Sequence, residues 1–464
     1  MSGIFGVAAK ESCQQDLFYG TDYHSHLGTQ FGGLAVWNNE LTRKIHDIRG
    51  SQFKSKFYED YKKMHGNRGI GVISAADEQP IVVNSRFGAF AIVVNGFIDN
   101  AKELSEQLYK QNQSFSEVTD GKVNTAELVA KLIIQGKDLA NGIEKMFAQI
   151  KGSCSLLLLT AEGIYAARDR SGYSPLALGE KDDAWAVSTE TSAFYNLGYK
   201  IKKFIQPGEI VLLTENGPVS KGKGGATNQI CSFLWIYTGF PASNYDGINV
   251  EMSRERCGRC LAKGDKVKAD MACGIPDSGT AHAIGYAMES GVPFRRALVK
   301  YTPGFDRSYT PPSQETRDLI ARMKLIPIPE IIKDKSIVFC DDSIVRGTQF
   351  KNYTIQKLKD CGVKEIHLRI ACPPLMFPCK FNYSTRTLSE LAARRAITEI
   401  EGKETEDIKP YLDEKSPKYK LMVKIITEEL GATTLRYQTL KDMIEAIGVA
   451  KKSLCTYCWT GEEP

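Results

Sequence analysis

No apolar run in this 464-residue chain reaches the ~20 residues that a bilayer-spanning helix needs. The first residues, Met1-Ser2-Gly3-Ile4-Phe5-Gly6, lack the basic-then-apolar layout of a secretory signal. No block of lysine and arginine is dense enough to argue for nucleic acid, and a formal charge of +5 is small for this length. No internal repeat is evident. These absences set aside membrane and nucleic-acid partners. What they leave is an expected cytoplasmic protein of two or three domains.

Cysteine, by contrast, is plentiful. There are twelve, and in a reducing compartment they are expected as thiols rather than disulfides. Two CxxC pairs occur, Cys257-Gly-Arg-Cys260 and Cys455-Thr-Tyr-Cys458, so a metal or cluster site has to be considered.

The chain changes rhythm near its middle. Up to about residue 214, apolar and often alternating runs at 33–37, 70–73, 90–94, 155–159, 164–167, 184–187 and 210–213 read as strands. Helical patterns appear at 101–110 and 125–134. Strands outnumber helices, which points to a layered α+β unit. The Gly-rich stretch 216–228 reads as a linker or as a hairpin turn at the domain edge. Beyond it, expected strands at 269–275, 294–299, 337–340 and 365–371 alternate with expected helices from 280 to Gly291 and over 349–360. That alternation predicts a parallel sheet with right-handed crossovers. Domains are expected at 1–228 and 229–464.

The richest segment is Ile337-Val-Phe-Cys-Asp341-Asp342-Ser343-Ile-Val345-Arg346-Gly347-Thr348. An apolar strand ends in two adjacent carboxylates, followed by a loop of small and hydroxyl residues and then a helical pattern. Ligands of open parallel sheets sit outside the carboxyl ends of the strands. Backbone N–H groups there, with a helix N-terminus, suit a phosphate dianion. Asp341 and Asp342 suit the ribose 2- and 3-hydroxyls, directly or through Mg²⁺ and its waters. Pro276-Asp277-Ser278-Gly279 occupies the same place after another strand and suits a pyrophosphate, although an ordinary turn has the same composition. Between these loops, the stretch from Lys300 through Arg307 to Arg317 carries prolines, a glycine and several cations. It reads as a lid over a polyanion, or as an exposed loop.

These residues resemble a specific family. The block 336–348, the loop Gly274-Ile-Pro-Asp277-Ser278, Arg322-Met-Lys324-Leu and Ser243-Asn-Tyr-Asp-Gly-Ile-Asn249 are similar to glutamine phosphoribosylpyrophosphate (PRPP) amidotransferases. The likeness extends over nearly the whole chain. It implies an α+β N-terminal-nucleophile-hydrolase-like (glutaminase) domain followed by an α/β type I phosphoribosyltransferase domain. The implied activity is transfer of phosphoribosyl from PRPP to an amine with loss of pyrophosphate, at the first step of purine synthesis. The resemblance places PRPP on Asp277, Ser278, Asp341, Asp342, Ser343, Val345, Arg346, Gly347 and Thr348. It places Mg²⁺ on Ser278, Asp341 and Asp342, and a catalytic contribution on Lys300, Arg307, Arg322 and Lys324. In the iron–sulfur branch of the family, four cysteines hold a [4Fe–4S] cluster, and the matching positions are Cys231, Cys379, Cys455 and Cys458. Spacing alone also allows a zinc site on Cys257, Cys260, Cys455 and Cys458. A homo-oligomer inhibited by a purine nucleotide is a further implication.

The glutaminase half departs from the pattern. Where the family has a free N-terminal cysteine as nucleophile, this chain has Ser2, a far weaker one. The segment carrying the family's carboxylate-binding arginine is here Gly69-Ile-Gly-Val-Ile-Ser-Ala-Ala-Asp-Glu, without it. Arg68 is a poor substitute at the wrong end of the strand. The His-Arg-Gly-Gln loop has become His26-Leu-Gly-Thr-Gln30, and the ammonium-binding aspartate has become Asn124. Only the oxyanion pair Asn95-Gly96 survives plainly. Two lost charge-assisted contacts cost ~1.5–3 kcal/mol each. A domain that keeps its fold and has lost glutamine hydrolysis is therefore expected. In the second half, Phe240-Pro-Ala-Ser243 stands where the family has Arg-Pro-Asp-Ser. The main alternative to an enzyme is a nucleotide-sensing or regulatory paralogue, since the phosphoribosyl fold also serves sensors.

Overall fold

The strand Gly3–Ala9 is buried along its whole length, which requires cover on both faces of its sheet. The computed structural model, which describes residues 1–119, 121–225, 228–301, 323–347, 354–382, 384–385 and 387–463, shows what covers it. Gly3–Ala9 is central in a seven-stranded antiparallel sheet. The order is Lys200–Phe204, Ala177–Lys181, Ala184–Ser188, Gly3–Ala9, Arg68–Ser74, Phe31–Asn38, Glu40–Asp47. A second antiparallel sheet runs Gly217–Gly222, Ile210–Thr214, Ile164–Ala167, Gly152–Leu159, Gly88–Ile98, Ile81–Ser85.

The two sheets face each other through Ile4, Ile70, Val72, Val93, Leu157, Leu159, Ile164 and Leu213, among others. Helices Gln14–Asp22 and Phe53–Tyr61 cover the outer face of the first sheet with Leu17, Phe18, Phe53 and Phe57. Helices Ala101–Lys110, Thr125–Ile133 and Leu139–Gln149 cover the second with Leu104, Leu108, Leu128, Ile143 and Met146. The result is four layers, helix–sheet–sheet–helix.

The second half is built on a parallel sheet ordered Met271–Gly274, Ser336–Asp341, Glu365–Ile370, Thr434–Tyr437. Ile337-Val338-Phe339-Cys340 is fully buried, as expected of an interior parallel strand. Helices Val250–Ala262 and Thr280–Ser290 pack on it, the second stopping at Gly291 with φ +78°.

Three sequence expectations change here. The strand expected at 294–299 shrinks to Leu298–Lys300, paired with Leu325–Pro327 in a hairpin. Phe294 keeps a single parallel bridge to Ala272, because exposed Arg295 and Arg296 interrupt the apolar run beyond it. Of the 216–228 stretch, Gly217–Gly222 is an edge strand in a hairpin with Ile210–Thr214, so the turn reading holds for that part. The helix expected at 349–360 is described only from Thr354, as a π-type turn leading into Gln356–Asp360; 349–353 lie outside the described residues.

Candidate functional site

The paired carboxylates close the strand Ser336–Asp341. Both are buried. Asp342 N–H donates to Asp341 Oδ1 at 2.9 Å, and Ser343 Oγ donates to Asp342 Oδ2 at 2.5 Å. Burial, with the neighbouring Asp342 charge, raises the Asp341 carboxyl well above the usual range. Two adjacent buried acids are costly unless positive charge compensates them.

The loop after Met271–Gly274 is pressed against this strand end. Ile275 N–H donates to Cys340 O at 2.9 Å, and Ser278 Oγ lies 3.4 Å from Asp341 Oδ1. At Gly279 a Cβ would fall 2.2 Å from the Cys340 carbonyl oxygen, so only glycine lets the two loops meet. The Pro276–Asp277 bond is cis. Asp277 pairs with Lys300 Nζ at 2.7 Å. Lys300 ends one strand of the Leu298–Lys300 hairpin, and Tyr301 N–H donates to Lys324 O at 2.8 Å, so Lys324 flanks it. Arg307 and Arg322, and most of the lid segment, lie outside the described residues, as does Thr348.

After Ser343 the loop is fixed by the helix Ala392–Glu401. Ala392 N–H donates to Val345 O at 2.8 Å, Arg395 to Arg346 O at 2.7 Å, and Arg346 pairs with Glu390. Gly347 has φ +74°. The structure therefore gathers Ser278, Asp341, Asp342 and Ser343 at one strand end, with Asp277, Lys300 and Lys324 along its rim.

A second set of groups lies in the first domain. Ser2 is buried; its N–H donates to Asn95 Oδ1 at 3.1 Å, and its Oγ accepts from Ala75 N–H at 3.1 Å. Asn95 Nδ2 is buried, with no partner among the described residues. Gly96 follows at φ +155°, where a Cβ would meet Ser153 O at 2.1 Å. Asn124 is the N-cap of Thr125–Ile133, accepting from Ala126 N–H at 2.9 Å and donating to Glu78 O at 2.8 Å. Asp77, not foreseen from sequence, brings a carboxylate to the same helix start, but it accepts there from Thr125 N–H at 3.0 Å. Arg68 stands opposite Ala8, whereas Ile73 stands opposite Gly3. Five residues of strand, roughly 17 Å, separate Arg68 from the Ser2 end, and its guanidinium binds Ala161 O at 2.5 Å.

The two domains meet at a charge that sequence patterns did not reveal. Glu190 is fully buried; its Oε1 accepts from Phe240 N–H at 3.1 Å and from Tyr245 Oη at 2.5 Å. Its Oε2 lies 3.0 Å from His26 Nε2, outside hydrogen-bond alignment. Although burial pushes the other way, the two histidines and Tyr245 hold its carboxyl down at about 2. Phe240, at the altered segment, packs 5.3 Å from the His26 ring. Arg254 lies between this interface and the acid pair, binding the carbonyls of Trp235, Tyr237 and Gly239 at 2.8–2.9 Å, with its charge facing Asp342 and Glu190.

Beside Glu190, burial lowers the His24 imidazole to about 4. The unfolded chain takes up this proton below ~6.5 and the folded one only near 4, so stability falls as pH drops between them. Burial lowers the His282 imidazole likewise, to about 3, so urea unfolding at pH 7 and pH 5 is expected to show a loss of about 4 kcal/mol at the lower pH, about half from each histidine. His24→Gln is expected to remove about half of that difference.

Four cysteines meet where the C-terminus returns to the domain junction. Cys231 and Cys455 are partners in a two-residue parallel ladder. Cys458 O accepts from Met376 N–H at 2.9 Å and from Phe377 N–H at 3.1 Å, which brings the Cys379 turn alongside. The Cys458 thiol is raised first by its hydrogen bond to Cys379, then by burial and by Cys455 and Cys231. Burial pushes Cys455 up to about 12, with Cys379 adding to it. Among the described residues no three His, Cys, Asp or Glu side chains surround a point that one metal ion could take. Cys257 and Cys260 are not brought to this group. They sit on Val250–Ala262, where the Cys257 thiol meets Ala371 O at 3.1 Å and Gln438 Nε2 at 3.3 Å.

Comparison with known proteins places this geometry. A family model described as "Glutamine amidotransferase domain" matches residues 67–196. An amidophosphoribosyltransferase of Methanocaldococcus jannaschii is 30% identical over 100% of this chain and 98% of its own. One of Bacillus subtilis is 30% identical over 100% of this chain and 94% of its own. The solved glutamine PRPP amidotransferase of B. subtilis, complexed with ADP and GMP, superposes with a TM-score of 0.85 at 30% identity, covering 100% of this chain and 97% of that one. Among the described residues no helix is long and apolar enough to cross a membrane.

Proposed function

As the chain belongs to the amidophosphoribosyltransferase family, we propose that it transfers phosphoribosyl from PRPP to free ammonia, without hydrolysing glutamine itself. The observation that carries this reading is the contrast between the two sites. The acid pair is buried and built against the Ser278 loop, whereas the first domain has a serine at the nucleophile position and a neutral helix cap where a charged amino acid would be held.

The ribose hydroxyls of PRPP face Asp341 and Asp342, its 5-phosphate lies on the amides of 343–348, and its pyrophosphate lies on 277–279. Asp341, Asp342 and Ser278 would hold Mg²⁺, which would supply positive charge next to the leaving group. Ammonia attacks C1 of the ribose as the bond from C1 to the pyrophosphate oxygen breaks. The electron pair leaves with pyrophosphate, and the new ammonium loses a proton to water. Lys300, Arg307, Arg322 and Lys324 stabilise the departing anion. Lys300 must exchange Asp277 for the pyrophosphate as substrate enters. Purine nucleotides regulate this step, and the working form is a homo-oligomer.

The four cysteines fit a [4Fe–4S] cluster better than zinc. Cys231, Cys379, Cys455 and Cys458 are gathered, whereas Cys257, which the zinc alternative needs, is held against Ala371 O and Gln438 Nε2 instead. Iron binding would displace the protons that burial keeps on these thiols, releasing them to solvent. Anaerobically purified protein is expected to contain iron and acid-labile sulfide in equal amounts, and Cys458→Ser to lose both; zinc without sulfide overturns this assignment.

The transfer itself is tested by pyrophosphate release. PRPP with Mg²⁺ and ammonium at alkaline pH is expected to yield pyrophosphate, and glutamine in place of ammonium to add nothing above background. Release with neither amine source favours a sensor.

A further inference from the structure

A buried donor without an acceptor stands beside the cysteine site, and it comes from the first domain. The Tyr173 ring is stacked on Phe381, 4.2 Å between centroids and 15° between planes. Tyr173, Phe381, Cys455 and Tyr457 form one small buried cluster, with Phe377 and Cys379 packed against it. The Tyr173 hydroxyl is buried and has no hydrogen-bond partner among the described residues; folded proteins rarely carry such a group without a reason. The group it sits against is the Cys455 thiol. A protonated thiol is a weak acceptor; a metal-bound thiolate is a strong one.

The surroundings hold this contact in place. Ser153 Oγ, also of the first domain, donates to Phe381 O at 2.7 Å. Gln229 N–H donates to Ser171 O at 2.6 Å, and Ser232 Oγ to Cys455 O at 2.8 Å. Ser153 by its hydrogen bond and Tyr173 by its stack thus grip the Phe381 segment that follows Cys379, and Tyr173 also packs against Cys455.

We propose that the first domain, no longer a glutaminase, serves as the cover of the iron–sulfur site, with the Tyr173 hydroxyl donating to the Cys455 sulfur and the Tyr173–Phe381 stack excluding water. This rests on the cluster reading above. It gives the domain a task that needs none of the lost glutamine contacts. Tyr173 is a positioning residue: it acts on the cluster through Cys455.

The test uses full-length protein purified without air, as wild type, Tyr173→Phe and Tyr173→Ala. Iron and sulfide content before challenge is expected to be equal in all three. Tyr173→Phe keeps the stack but removes the hydrogen bond to sulfur, so the cluster's midpoint potential becomes more negative. Tyr173→Ala also opens the stack, and iron passes to an excess of ferrous chelator about tenfold faster than from wild type. Wild-type protein without iron and sulfide overturns the cluster reading and this inference with it. Iron present, with unchanged potential in Tyr173→Phe and unchanged release in Tyr173→Ala, overturns this inference alone.

Discussion

Asp341→Asn and Asp342→Asn each lower ammonium-dependent pyrophosphate release by about 10²–10³-fold, the range seen when one group aimed at a transition-state charge is removed. The transfer builds positive charge on the sugar and negative charge on the leaving pyrophosphate, and the two carboxylates address both. In the proposed mechanism they would hold the ribose hydroxyls and the cation that neutralises the leaving group. Neither role survives in a neutral amide. Stability separates this loss from misfolding. Burial and the Asp342 charge raise Asp341, so its ionised form weakens the empty fold at neutral pH. Asp341→Asn removes that repulsion, and its melting temperature is expected to equal or exceed that of wild type. A variant that loses activity together with several degrees of stability contradicts the assignment.

Ser2→Cys does not restore glutamine hydrolysis. A thiol is a far better nucleophile, but on the proposed reading the glutamine site lacks more than its nucleophile. Asn124 is occupied as a helix cap, and Asp77 is held by Thr125 N–H. Arg68 is at the far end of its strand. Two missing charge-assisted contacts amount to about 3–6 kcal/mol, or ~10²–10⁴-fold in glutamine affinity. Glutamate release from saturating glutamine, with and without PRPP, is therefore expected at background for both wild type and Ser2→Cys. Brisk release from either refutes the reading of this domain.

Much of this was legible in residue order. The seven strands read in the first half all fall within strands of its two sheets, because alternation and burial go together when sheets pack face to face. The acid pair and the Ser278 loop were legible because the end of a parallel strand is where chemistry can sit. Other features were not. The fourth strand of the parallel sheet, Thr434–Tyr437, contains Arg436 and is only partly buried, so it carries no apolar signature. Glu190 follows Thr189 in a polar stretch and becomes informative only when Tyr245 and Phe240 arrive from the other domain. Tyr173 has no motif at all; its role is visible only once Phe381 and Cys455, more than two hundred residues away, are seen beside it. Contacts across a domain junction leave no periodic trace in either partner.

The central claim is that the buried acids at the end of Ser336–Asp341, with the adjacent loops, form a pocket for an activated ribose phosphate. Titrating Mg²⁺–PRPP into the anaerobically purified protein in a calorimeter tests it most directly. The account predicts heat that saturates at one site per chain and disappears in Asp341→Asn. A flat titration of the intact wild-type protein, or an identical isotherm from the variant, contradicts it.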